Sequence, residues 1–418
     1  MRKRPVLAGL AAVLTVVTLA TTPGAATAHE QRSDYKKVGY FIQWGIYGRQ
    51  YYVKNLDTSG QAARLTHVNY AFGNVDATGK CASGDPWADY QRPVPAEESV
   101  DGVADQPGQA LNGNFNQLRK LKVKYPKLKV LISLGGWSWS KYFSDASLTD
   151  ASRKAFVSSC VDVFLSTGVF DGVDLDWEWP GSEGNAGNII RPEDKQNFTL
   201  LLKEFRQQLD KLGRTKRKHY DLTAFLPAAP AKIDAGFEVR KVFKYLDFGT
   251  VQGYDMHGTW EPLTNHQSAL FEPKGQPVQP DFTVAGALNA WADRGAPKRQ
   301  LVMGVPYYSQ GWTGVTNANH GLFQPSTGPA AGVFGPGNED YKNVVKLTTQ
   351  GFTVYRDVRA GFAWVFDGTT FWTYDDPFVI TEKMAYVRLR GFGGAMVWSL
   401  DGDDANGTLT RTIDRTLG

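Results

Sequence analysis

The chain has 418 residues, 42% hydrophobic and 21% charged, a globular composition that excludes a disordered or low-complexity protein. Its formal net charge is +4, and Arg2, Lys3 and Arg4 supply three of those charges, so the remainder carries +1 and gives no argument for a basic nucleic-acid surface. Aromatic residues reach 13%, enough to fill a core and to leave flat rings for stacking on sugars.

Arg2-Lys3-Arg4, the apolar run from Val6 to Ala20 and the small residues Ala26-Thr27-Ala28 have the layout of a secretion signal cleaved near His29. The run is short for a membrane span, so residues 1–28 are expected to be removed and the mature protein to be extracellular, with no membrane association. Export permits a disulfide between Cys81 and Cys160, but the sequence does not say whether their Cα atoms approach. The six histidines form no close ligand pair, and no metal or cofactor is expected.

Short β-rich segments recur at Val38–Gln43, His67–Phe72, Lys129–Leu134, Gly172–Trp177, Leu222–Leu226, Phe248–Gln252, Leu301–Pro306 and Ala395–Leu400. Helical patterns lie between them. Phe115–Tyr125 stops at Pro126, Ala151–Thr167 has apolar residues at a period near 3.6, and Pro192–Leu212 opens with Pro-Glu-Asp. Eight strands alternating with helices predict an α/β fold, the (β/α)8 barrel. An open doubly wound sheet is disfavoured because no Gly-rich loop follows the first strand. Gly73–Asn114 is a long excursion after the second strand. The stretch between strands seven and eight is too long for a structureless loop and holds its own strand-like pieces, Phe352–Tyr355 and Phe362–Phe366. The expected organisation is therefore a barrel from 29–309 and 375–418, with a small α+β insertion lobe at 310–374.

The fourth strand reads Asp171-Gly172-Val173-Asp174-Leu175-Asp176-Trp177-Glu178. Strand alternation puts Val173, Leu175 and Trp177 on the face toward the helices and Asp174, Asp176 and Glu178 on the face toward the barrel interior. Same-face neighbours lie about 6.5–7 Å apart. Three carboxylates that close cannot all ionise cheaply, so one proton is retained, and a carboxylic acid protonated near neutrality is a general acid. The other readings of such a cluster are an exposed acidic edge or a Ca²⁺ or Mg²⁺ site. Asp171 is expected to be structural, capping the turn before the strand.

This segment resembles the D-x-x-D-x-D-x-E signature of the family-18 glycoside hydrolases, the retaining chitinases. Lys37–Phe41 is similar to that family's first strand, Ser133-Leu134-Gly135-Gly136-Trp137 to its S-x-G-G motif, and Tyr254-Asp255 to its Tyr-Asp pair. Gly304–Tyr308 and Gly394–Trp398 resemble strands seven and eight. The likeness runs over roughly residues 36 to 415.

The resemblance implies a secreted chitinase that uses no enzyme nucleophile; the substrate's own acetamide oxygen attacks C1 with retention. Glu178 would act as acid and base, Asp176 would orient the acetamide, Asp174 would share a proton with Asp176, and Tyr254 would donate to the acetamide oxygen. Trp398 would floor the site. Tyr40, Ser133, Asp255 and Tyr308 would line it or support the acids, and Trp137 and Trp260 would stack on neighbouring sugars. Gln252 and Gln310 stand where many relatives carry Met and Arg; these departures bear on sugar preference, and Gln252 is expected to face the reacting sugar. The implied partner is chitin or its oligosaccharides, and a monomer is the default. Two other functions compete: an endo-β-N-acetylglucosaminidase acting on N-glycan cores, and a sugar-binding lectin without activity. The lectin reading is weakened by retention of all three interior acids and Tyr254.

Overall fold

The computed structural model describes residues 35–418; the expected signal segment lies outside them. Eight parallel strands form the barrel: β1 (Lys36–Ile42), β2 (His67–Val75), β3 (Lys129–Gly135), β4 (Gly172–Asp176), β5 (Asp221–Leu226), β6 (Phe248–Val251), β7 (Leu301–Pro306) and β8 (Gly394–Trp398). They pair in sequence order, and β1 pairs with both β8 and β2, so the sheet closes on itself. This is the (β/α)8 architecture expected from the strand pattern.

Alternation sorts the side chains. Val173 and Leu175 of β4 point outward into the main core with the helices, and Trp177 follows them, stacked on Phe143 at 5.4 Å. Burying a side chain of this size stabilises by about 2–3 kcal/mol. The inward positions form a separate cluster that includes Val38, Tyr40, Phe225, Phe248, Val302 and Met396.

The surrounding helices include α1 (Gly113–Lys124), α2 (Asp150–Val163), α3 (Asp194–Lys216), α4 (Val284–Asp293) and α5 (Pro377–Arg390). Thr149 caps α2, its hydroxyl accepting from the Ser152 amide at 3.0 Å. The helix predicted to reach Thr167 is two pieces: α2 ends at Val163 and a 3-10 turn, Leu165–Thr167, leads to Gly168 in the left-handed region. α3 runs past the predicted end at Leu212. Gly213 lies inside the helix, and the carbonyl of Lys218 folds back onto it, where a Cβ would lie 2.5 Å from that oxygen.

The long excursion after β2 is not structureless. Cys81–Ser83 pairs antiparallel with β2, and a single turn covers Trp87–Gln91. A disulfide joins Cys81 to Cys160 of α2 across 79 residues, which settles the pairing that the sequence left open.

Between β7 and β8 lies a second, antiparallel sheet. Its strands run in the spatial order Gly328–Pro329, Tyr308–Thr313, Phe371–Tyr374, Phe362–Phe366 and Thr353–Asp357, with Asn338–Asp340 also on Tyr308–Thr313. A helix, Tyr341–Leu347, packs with it. The sheet begins at Tyr308, two residues before the expected lobe boundary at 310. Arg49, from the loop after β1, reaches Asp340 of this sheet at 2.8 Å and Asp401 beyond β8 at 2.6 Å. No helix among the described residues is long and apolar enough to cross a membrane.

Candidate active site

A cleft of about 970 Å³ opens where the C-terminal ends of the barrel strands meet. Ten residues singled out from the sequence line it: Tyr40, Trp137, Asp176, Glu178, Gln252, Tyr254, Asp255, Trp260, Tyr308 and Trp398. Asp174 does not line the cleft. It lies one inward position deeper on β4 and is fully buried.

Asp174 is surrounded by donors. The Tyr40 hydroxyl of β1 donates to it at 2.7 Å, Ser133 of β3 at 2.8 Å and Thr223 of β5 at 2.5 Å. Burial pushes its carboxyl above the usual range, and these donors pull it back down. Asp176 is also buried, and one of its carboxyl oxygens has no hydrogen-bonding partner among the described residues. Burial, then the neighbouring Glu178 and Asp174, hold Asp176 well above the carboxylate range. Burial raises Glu178 to about 8, with Lys232 opposing and Asp255 adding to the rise. The sequence reading had Asp174 sharing a proton with Asp176. In the structure Asp176 feels the charge of both Glu178 and Asp174, and a hydrogen bond also links it to Glu178. The acid cluster thus comprises a deep acid ringed by donors and a raised Asp176–Glu178 pair facing the cleft.

The backbone that delivers Glu178 is pinned. Its amide donates to the Ser140 hydroxyl at 2.8 Å, and its carbonyl accepts from the Asn188 side chain at 2.9 Å. Gly135 makes room for this turn: it sits at φ +105, and a Cβ there would lie 2.4 Å from the Asp176 carbonyl oxygen. Asp171, expected to cap the turn before the strand, accepts from the Val130 amide of β3 at 3.0 Å and from Lys122 and Lys218.

Tyr254 is buried beside the acids, and among the described residues its hydroxyl meets only the Met396 sulfur, at 3.9 Å. Sulfur is a weak acceptor, so this donor is free for an oxygen entering the cleft. Asp255 adopts the left-handed region at φ +54 and accepts from the Gln310 amide at 3.0 Å, with Tyr308 also bonded to it. Gln310 therefore contacts Asp255 with a neutral amide in the position where the resemblance led to expect a cation.

Trp398 stacks on Phe72 at 5.6 Å and meets Tyr40 edge-on at 5.3 Å. Trp137 and Trp260 are 52% and 61% exposed, which leaves their faces open for a ligand. Sequence reading missed Trp44, Phe72, Trp139, Trp179, Phe225 and Lys232, all of which line the cleft. Trp44 could have been found as an aromatic just past the end of a barrel strand. Trp179 could not: alternation gives it the parity of Trp177, but the strand ends at Asp176, and Trp179 turns inward onto Phe225 at 5.5 Å.

Fold and cleft together define a (β/α)8 protein with an acid pair set in an aromatic-walled groove. The chain belongs to the glycosyl hydrolases family 18, whose model matches residues 36–403. Chitinase C of Streptomyces lividans is 41% identical over 408 residues, which cover 96% of this chain and 62% of that protein. Chitinase 63 of Streptomyces plicatus is also 41% identical, over 91% of this chain and 60% of its own. The chain thus spans a little under two thirds of those relatives. The catalytic domain of the psychrophilic chitinase B from Arthrobacter TAD20 has the same fold with a TM-score of 0.88 and 43% identity, covering 92% of this chain and 95% of that one.

Proposed function

We propose that the chain is a secreted chitinase that hydrolyses β-1,4-linked N-acetylglucosamine by a retaining, substrate-assisted route. The observation that carries this reading is the Asp176–Glu178 pair, raised by burial and set in a cleft whose aromatic walls come from several strand ends. Family membership and relatives named as chitinases support it.

In this reading Glu178 gives its proton to the glycosidic oxygen as the bond to C1 breaks. The substrate's acetamide oxygen closes on C1, and Asp176 accepts the acetamide N–H through its unpartnered oxygen. The Tyr254 hydroxyl donates to the same acetamide oxygen. Water then adds at C1 as the bond from C1 to the acetamide oxygen breaks, and Glu178 takes a proton from that water. A tethered nucleophile supplies effective molarity, and the charge on Asp174 and Asp176 stabilises the positive intermediate. Trp398 floors the reacting sugar, and Trp137 and Trp260 stack on its neighbours.

The test is hydrolysis of chitin tetramer and hexamer by wild type and Glu178→Gln, with the product anomer followed by NMR. Wild type should release the β-anomer first and the variant should not. Wild type that binds the oligomers without cutting them would indicate a lectin. Cleavage of a high-mannose glycopeptide in preference to the hexamer would indicate the N-glycan substrate.

A further inference from the structure

The near-neutral charge of the whole chain conceals a local segregation. From Lys211 to His219 the sequence holds Lys211, Arg214, Lys216, Arg217 and Lys218 and no acid, and all five cations are exposed. They occupy the end of α3 and the turn into β5. α3 departs from the C-terminal end of β4, and β5 starts at the opposite end of the barrel, so the cluster lies on the face away from the cleft.

The neighbouring acids are already matched. Asp171 is held by Lys122 at 2.7 Å and Lys218 at 3.0 Å, Asp221 by Lys129 at 2.8 Å, Asp247 by His219 at 2.7 Å, and Asp210 by Arg206 at 2.7 Å. Lys211, Arg214, Lys216 and Arg217 have no acidic partner among the described residues. Arg214 and Lys216 lie in the last turn of α3 and complement the helix dipole. Arg217 caps the helix in the left-handed region and Lys218 follows it, so both also stand near its negative end. Beside them a shallow depression of about 370 Å³ is lined by Arg214, Lys218, His219 and Tyr220, together with Asp210, which is paired with Arg206.

We infer that this face binds a linear anionic polysaccharide bearing sulfate or phosphodiester groups, holding the protein with its cleft turned away from the anchoring polymer. Unneutralised like charges at this density favour a polyanion that replaces their small counterions. The site offers no stacking platform for bases, because Tyr220 is buried and the Lys218 ammonium covers its ring at 4.3 Å. It offers no exposed large apolar side chain between 211 and 219 to enter a lipid surface.

The test uses the full chain with dextran sulfate and poly(glycerol phosphate) as probes. Wild type should bind at least one of them, and about four ionic contacts should weaken that binding roughly 10²-fold between about 50 and 200 mM salt. Binding to one polymer alone identifies which anion is recognised. The double variant Lys216→Ala/Arg217→Ala should lose at least about tenfold in affinity with unchanged hydrolysis of soluble chitin oligomers, while Lys211→Arg/Lys216→Arg should bind as wild type. Absence of binding to both polymers at about 50 mM salt would overturn the inference. So would affinity that survives the double variant, or tighter binding to single-stranded DNA than to either polymer.

Discussion

Replacing Glu178 by Gln removes an ionisable group whose folded and unfolded states differ in proton affinity. In the folded chain burial raises this carboxyl from 4.5 to about 8. Between those values the unfolded chain has lost the proton and the folded chain keeps it. The native state then binds more protons, so stability falls as pH rises. Each tenfold difference in proton affinity is worth about 1.4 kcal/mol, so the fall approaches an upper value of about 5 kcal/mol. Below about pH 4 both states are protonated and the contribution vanishes. The amide has the shape of the protonated acid and cannot ionise, so it escapes the penalty. Glu178→Gln should match wild type in stability at acid pH and exceed it increasingly up to about pH 8. Unfolding entropy scales with chain length, and for a chain of this size the full effect corresponds to a midpoint increase of about 5 °C. The assay is thermal unfolding of both proteins by circular dichroism from about pH 4 to about pH 9, alongside tetramer hydrolysis. Activity should fall by about 10²–10⁴ as the general acid is lost. Unfolding curves that keep a constant separation across the whole pH range would refute the raised carboxyl and with it the assignment of the acid.

Wild-type kcat/KM on chitin tetramer should decline above pH about 8, where Glu178 loses its proton; a plateau through pH about 9.5 would place the acid elsewhere. Tyr254→Phe should cut kcat by about 10–10² while leaving stability within about 0.5 kcal/mol, because the hydroxyl meets only the Met396 sulfur and no strong partner is orphaned. Urea titration and steady-state kinetics read the two effects separately. Reducing the Cys81–Cys160 bond, which closes a 79-residue separation, should cost about 4–5 kcal/mol by loop entropy, seen as a lower urea midpoint with reductant present.

Much of this protein follows from local periodicity. All eight barrel strands were legible as short β-rich segments, and the sides of β4 were set by alternation alone: Asp174 and Asp176 inward, Val173 and Leu175 outward. That parity comes from the pleat, which each residue obeys regardless of what surrounds it. It also located Trp177 in the outer core. The insertion between β7 and β8 was legible as a connection too long to remain without structure.

Tertiary structure decided the partners. Asp174 takes its donors from Tyr40, Ser133 and Thr223, which lie 134, 41 and 49 residues away. Only closure of the barrel, and the register between its strands, puts them at one level. The cleft wall depends equally on closure, since Phe72 lies in β2 while Trp44, Trp139 and Trp179 follow β1, β3 and β4, and only the closed barrel brings them together. The disulfide needed the path of the excursion after β2, and the basic cluster below the barrel needed the direction of α3. A sequence states what each strand presents to its two faces; which faces meet depends on how the sheet closes, and that is a property of the whole chain.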